Sequence, residues 1–315
     1  SRRRHTRYIS VTGVQTCALP ILEKPMRRDH RRKVKVLFLT AAMVGLSVLG
    51  YRTFTTQGFA DRQSALVQSF YKFRSEHLST WRAGSCFQEN SKLAPQIDYD
   101  KCTTISPLPN APKVLLWGDS TAAHLYPGLH SVYADRITLT QITLGRCAPT
   151  LQGVSDECRA LNQRVLDRVK QSPPDIIILA AACTATSTPH LPDTLQALKA
   201  MGVKKIILMG RPVEWVKFAP LVVARSIQAD PLQRVRRRYR AMVKPEAATG
   251  NDLLRKTAQD LGVSYVSPYD VFCNEDGCLA VNGDSPEKLV TIDYYHLGSE
   301  GSRILAEALR LLETP

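Results

Sequence analysis

Three side chains in this sequence have the types and order that nucleophilic acyl chemistry requires. Ser120 stands in Gly118-Asp119-Ser120, directly after the apolar run Val114-Leu115-Leu116-Trp117. Asp293 and His296 stand three residues apart in Thr291-Ile292-Asp293-Tyr294-Tyr295-His296-Leu297, close to the C-terminus. A serine hydroxyl is a weak nucleophile until a base takes its proton, and that base needs a partner to orient it. At this spacing one local turn lets Asp293 accept from one imidazole nitrogen while the other faces Ser120. Each motif alone also has a structural reading, because Gly-Asp-Ser is an ordinary helix cap after a turn glycine. The pair in this order, one closing the first core strand and one preceding the last helix, points to a Ser-His-Asp site. His124 is a rival base four residues after Ser120, but it lacks a carboxylate at the right local spacing. His77, His130 and His190 read as surface or satisfied histidines, and Asp119 reads as a brace for the turn. No cysteine pair has zinc-ligand spacing with histidines nearby, so no metal is expected, and no cofactor is called for.

The elements that must position these groups follow from periodicity. Strands are predicted at Val114–Trp117, Ile137–Thr140, Ile176–Ala181, Lys205–Met209 and Ser264–Val266. Helices are predicted at Thr121–Tyr133 (kinked at Pro127), Glu157–Lys170, Asp193–Met201, Gly250–Leu261 and Ser299–Leu312. Strands alternating with helices of this size imply right-handed crossovers and a mainly parallel sheet. Ser120 then lies at the carboxyl edge of that sheet, where open α/β sheets bind ligands, and its own turn supplies an N–H to an oxyanion. Residues 211–247 break the rhythm and read as an insertion beside the site, with Trp215 either lining an acceptor cleft or packed structurally. The run Arg234-Val235-Arg236-Arg237-Arg238-Tyr239-Arg240 reads as a solvated helix face, with an anionic glycan or headgroup contact as the sharper alternative.

WGDS with the downstream DYYHL is similar to the first and fifth sequence blocks of the SGNH hydrolases. LLWGDSTAAHLYPGL, Cys147-Ala148-Pro149 with Cys158-Arg159-Ala160-Leu161-Asn162, and the late pair Cys273 and Cys278 resemble more closely the extracytoplasmic SGNH domain fused or tethered to membrane acyltransferase-3 proteins. The likeness runs from about Trp81 to the end. It implies a flavodoxin-like three-layer sandwich, with Ser120, His296 and Asp293 as the catalytic residues. It also implies an oxyanion hole to which Ser120, Gly145 and Thr184 contribute. The Asn that such enzymes usually add is missing from Ala181-Ala182-Cys183-Thr184-Ala185-Thr186, so Thr184, Thr186 or backbone amides stand in. Sequence alone allows fifteen pairings of six cysteines; the likeness favours Cys86–Cys102, Cys147–Cys158 and Cys273–Cys278, in an oxidising compartment. Cys183 is expected to be a buried free thiol.

The net charge of +14 is concentrated at the start: residues 1–35 hold eleven Lys/Arg against Glu23 and Asp29, leaving +5 for the other 280 residues. With no stacking-aromatic pattern or recognised motif, nucleic acid is not an expected partner. Residues 1–21, Cys17 and His5 included, look like a translated sequencing adapter and are set aside from fold reasoning; further membrane helices then have room before residue 22. Residues 22–35 form a basic flank. Residues 36–52 contain the sixteen uncharged residues Val36 to Tyr51, read as a transmembrane helix with its basic side in the cytoplasm; a cleaved signal peptide is the alternative. Residues 53–110 are read as a stem and disulfide-bearing linker, and residues 111–315 as the catalytic domain, periplasmic or extracellular.

The expected activity is extracytoplasmic acyl transfer, by resemblance an O-acetylation, to or from a surface carbohydrate through an acyl-serine. A glycan acceptor and a membrane acyltransferase-3 domain as acyl donor are the implied partners. A simple esterase with water as acceptor, and a glycan-binding module without the chemistry, are the alternatives.

Overall fold

The computed structural model of the protein describes residues 30–55, 64–65, 68–70, 72–73, 78–182, 186–229, 237–239, 243–244, 246–283 and 285–313. The chain divides into two units, Ser1–Arg62 and Gln63–Pro315. The first contains helix α1, His30–Thr55. It is long and apolar enough to cross a bilayer, and its 26 residues extend about 39 Å.

The second unit is built on a seven-stranded sheet. Along the chain run β1 (Phe87–Gln88), β2 (Thr103–Thr104) and β3 (Lys113–Gly118), then helices α2 (Ser120–Ala123) and α3 (Tyr126–Tyr133), then β4 (Thr138–Leu144). They are followed by α4 (Asp156–Gln171), β5 (Ile176–Ala180), α5 (Leu191–Ala200), β6 (Lys205–Met209) and α6 (Ala219–Ala229). The strand β7 (Arg237–Tyr239), helix α7 (Glu246–Leu261), strand β8 (Ser264–Val266) and helix α8 (Pro268–Phe272) come next. The chain closes with the hairpin of β9 (Cys273–Asn274) and β10 (Gly277–Val281) and the helix α9 (Ser299–Ala308).

The sheet order is β1-β4-β3-β5-β6-β8, with β2 added on β4. Every pair is parallel except β2 with β4. A strand buried on both faces must be apolar at every position, and β3 shows why Val114–Trp117 reads as an unbroken run. Val114 and Leu116 face a core completed by α3 and α9 through Leu129 and Leu305. Leu115 and Trp117 face a core completed by α4, α5 and α7 through Val165, Leu195 and Ala258. A second sheet, β7-β10-β9, is antiparallel.

Several elements depart from the sequence expectations. The helix predicted at Thr121–Tyr133 is two helices, with the break at His124 and Leu125. Pro127 falls in the first turn of α3, where it removes no internal hydrogen bond. The chain from Trp81 onward belongs to the folded unit rather than to a linker: β1 and β2 both pair with β4, and Trp81 is buried in the core. Within residues 211–247, Arg237–Tyr239 pairs antiparallel with β10, so this part of the basic run is a strand and not a helix face; the rest of that run lies outside the described residues, as do His77, Cys183, Thr184 and residues 1–29. Disulfides join Cys86 to Cys102, Cys147 to Cys158 and Cys273 to Cys278. Cys147 and Cys158 are 11 residues apart, a loop whose closure stabilises by about 3 kcal/mol on chain-entropy grounds.

Candidate active site

β3 ends at Gly118, whose φ of +152° and contact with Ala180 leave no room for a side chain: an added Cβ would meet the Ala180 carbonyl oxygen at 1.8 Å. This close approach lets the chain turn sharply out of the sheet. Asp119 then caps α2. Its Oδ1 accepts the Thr121 N–H at 2.7 Å and the Thr121 hydroxyl at 2.8 Å. Its Oδ2 accepts the Ala182 N–H at 2.9 Å, tying the end of β5 to the turn that carries Ser120. Burial pushes the Asp119 carboxyl above its ordinary value, against these hydrogen bonds. Asp119 therefore braces the turn, and Ser120 follows it with its hydroxyl partly exposed at the sheet edge.

His296 reaches Ser120 because α3, on the chain after the serine, packs against α9, on the chain after the histidine. The Gly128 N–H donates to Ser302 Oγ at 2.8 Å, and the Tyr133 hydroxyl donates to the Ala306 carbonyl at 3.1 Å. A tight loop between Thr291 and Leu297, which bridge each other, carries Asp293 and His296. There His296 Nε2 lies 2.8 Å from Ser120 Oγ, and His296 Nδ1 lies 2.7 Å from Asp293 Oδ2. The other oxygen, Asp293 Oδ1, accepts the N–H groups of Tyr295 and His296 at 2.9 and 2.8 Å. Burial raises the Asp293 pKa, but the His296 hydrogen bond and charge with these two N–H groups prevail and hold it at about 2. The carboxylate is thus ionised at neutral pH. It orients the imidazole with Nδ1 as donor, leaving Nε2 as acceptor for the serine proton.

The structure brings Ser120, His296 and Asp293 together and leaves other candidates aside. Gly145 lies near them, because β4 runs beside β3 with Thr143 opposite Gly118. Its N–H, however, donates to the Gln88 carbonyl at 2.8 Å, so it is not an open oxyanion donor; the added strand β1 has claimed it. Thr186 donates to the Gly153 carbonyl at 3.4 Å. Trp215 lines no cleft: it is fully buried, its Nε1–H donates to Thr291 Oγ1 at 3.2 Å, and its N–H donates to the Tyr294 carbonyl at 2.7 Å. The Ala219 N–H adds a bond to the Asp293 carbonyl at 3.0 Å. The segment expected to flank the site therefore braces the back of the Asp293–His296 loop. His130 is exposed, and its ring meets that of Tyr126.

Two further residues support this region, Trp81 with no motif to mark it and Asn162 marked only as the end of the Cys158–Asn162 segment. Trp81 packs its ring 5.2 Å from that of His296, held by the Gln141 side-chain amide, which donates to the Trp81 carbonyl at 3.0 Å. Asn162 is fully buried and donates to the Ala148 and Thr150 carbonyls at 2.8 and 2.6 Å. With the Cys147–Cys158 disulfide it clamps the loop that follows Gly145. Among the described residues no group of three or more His, Cys, Asp or Glu is placed to hold a metal ion.

A family model described as the SGNH domain fused to AT3 domains matches residues 85–310. No curated protein matches the chain. Among solved structures, the periplasmic domain of a lipopolysaccharide acetyltransferase from Salmonella ser. Paratyphi A is similar over 78% of this chain and 97% of its own, at 20% identity and a TM-score of 0.63. An acetyl xylan esterase matches 62% of this chain and 97% of its own, at 18% identity and a TM-score of 0.40. A carbohydrate acetylesterase family member from Sinorhizobium meliloti matches 64% and 96%, at 13% identity and a TM-score of 0.38.

Proposed function

The chain belongs to the family of SGNH domains found fused to AT3 domains, and from that premise we propose that it transfers an acyl group, most simply acetyl, to a hydroxyl of a cell-surface carbohydrate. Membership makes it a serine-type acyltransferase or esterase. The observation that carries the reading is the unbroken hydrogen-bond chain from Asp293 Oδ2 through His296 to Ser120 Oγ, at 2.7 and 2.8 Å.

In the first half-reaction Ser120 Oγ attacks the carbonyl carbon of the acyl donor. His296 Nε2 takes the hydroxyl proton as the new C–O bond forms, and passes it to the leaving group as the old bond breaks. Asp293 stays ionised and stabilises the imidazolium. The developing oxyanion is met by the Ser120 N–H at the start of α2, where helix-end N–H groups lack internal partners. In the second half-reaction a sugar hydroxyl gives its proton to His296, attacks the acyl-serine and releases Ser120, which recovers the proton. Water in place of the sugar gives hydrolysis by the same residues.

The fold shared with the periplasmic domain of a lipopolysaccharide acetyltransferase supports an extracytoplasmic setting, a glycan acceptor and a membrane acyltransferase as acyl donor. The α1 helix supports a membrane anchor, with residues 111–315 as the catalytic region. Ser120→Ala should abolish both turnover of an activated acetyl ester and labelling by a fluorophosphonate, and retained labelling in that variant would discard the mechanism. Supplying candidate glycans and measuring acylated sugar against free acetate separates transfer from hydrolysis.

A further inference from the structure

A second imidazole lies beside the catalytic one. His124 follows α2 at the break before α3, and it is only 2% exposed. Its Nδ1 accepts the N–H of Leu297 at 3.2 Å, and Leu297 is the residue directly after His296. A ring nitrogen that accepts carries no proton, so the neutral ring holds its proton on Nε2. The His124 and His296 rings meet edge to face at 6.0 Å, and the Trp81 indole lies against both, at 6.2 and 5.2 Å. Burial pushes the His124 pKa well below the ordinary value; the charge of His296 pushes the same way and that of Asp293 opposes. Leu297 is 2% exposed, so without His124 its N–H would be a buried donor, which is costly. Neighbouring N–H groups are already engaged: Ile292 donates to the His296 carbonyl and Gly298 to the Val290 carbonyl, each at 2.9 Å.

We propose that His124 is a positioning residue for the acyl-transfer reaction: as an uncharged acceptor it tethers Leu297, and so fixes where the His296 ring meets Ser120 Oγ. Ser120 and His124 are one helical turn apart, so the nucleophile and the tether for its base share one short rigid segment. The bond thereby adds a short local restraint to the α3–α9 packing that brings His296 to Ser120. His124 is not itself the base, because its accepting nitrogen is turned to Leu297. A protonated His124 would lose that bond and set a second cation against the imidazolium formed in each half-reaction.

The kinetic part of this inference rests on the acyl-transfer reading; the spectroscopic part does not. In the full chain held in detergent with 15N-labelled histidine, His124 is expected as the Nε2–H tautomer at neutral pH, with slow exchange of the Leu297 amide. An Nδ1–H or charged His124 overturns the proposal without recourse to any variant. Two substitutions then separate tethering from packing. In His124→Asn the side-chain oxygen sits about where Nδ1 was, and kcat on an activated acetyl ester should stay within about threefold of wild type. In His124→Leu the volume is kept but the acceptor is lost, and kcat should fall about 10²-fold with KM little changed. A packing role predicts the reverse order, with Leu tolerated and Asn not; that order, or an equal fall in both, overturns the tether. If Ser120→Ala retained turnover, the acyl-serine reading would fall while the tautomer and the Leu297 bond still stood to be measured.

Discussion

Asp293 is held ionised by a balance that a pH titration of stability reads directly. Its pKa is about 2 in the folded chain, against an ordinary 3.8. The folded value is the lower one, so the carboxylate stabilises the fold above the unfolded value and that stabilisation is lost as pH falls through the folded one. The shift corresponds to about 2 kcal/mol. Wild type should therefore lose about 2 kcal/mol relative to Asp293→Asn between about pH 5 and pH 2, measured by urea unfolding across that range. Parallel curves for the two chains would contradict the assignment. At this level the proposed site of Ser120, Asp293 and His296 was legible, because residues fit to act as nucleophile, base and orienting acid are recognised by type and local spacing. Trp81 and His124 were not legible as neighbours of His296, because their contacts cross the chain and no local pattern marks them. Gly145 shows the opposite limit: it stands in the right motif, yet an added edge strand takes its N–H.

The packing of α3 on α9 sets the distance between the two halves of the site. A Cβ placed on Gly128 would meet the Ser302 carbonyl oxygen at 2.1 Å and the Arg303 nitrogen at 2.6 Å. These are backbone atoms, so α9 itself must move. Gly128→Ala is expected to destabilise by about 1–3 kcal/mol and to lower kcat by about 10²-fold, because His296 lies just before α9. Chemical denaturation and steady-state kinetics check the two parts, and loss of stability with intact kcat would show that α9 does not set the base. Element types along β3, β5 and β6 were readable because both faces are buried and, past the opening Lys113 and Lys205, the strands are apolar. β4 was foreseen only as Ile137–Thr140, since Gln141 and Thr143 look like surface residues. In the structure both are fully buried and bond to the Trp81 and Cys86 carbonyls. Polar partners, not apolar pattern, extend that strand.

Across the whole chain, Gln63–Pro315 forms its own unit and contains every residue proposed to act. A chain starting at Gln63 should therefore fold, stay soluble and turn over an activated acetyl ester at a rate near that of the full chain. The full chain should instead fractionate with membranes through α1. Inactivity of a folded Gln63–Pro315 chain would place an essential group before Arg62. The disulfides belong to this level too, since Cys86–Cys102 fastens two short strands onto β4 and makes the presumed linker part of the fold.

The amino-acid order was sufficient for the alternation of strands and helices, the apolar N-terminal segment and the choice of Ser120, Asp293 and His296 as the proposed site. Each of these depends on neighbours within a few residues, or on a hydrophobic period that survives in one dimension. The meeting of Ser120 with His296 across 176 positions, the burial of Trp215 behind the Asp293–His296 loop, the diversion of the Gly145 N–H and the bond from the Leu297 N–H to His124 were decided only in three dimensions. Close packing of α3, α9 and the sheet edges determines which distant groups come within hydrogen-bond reach.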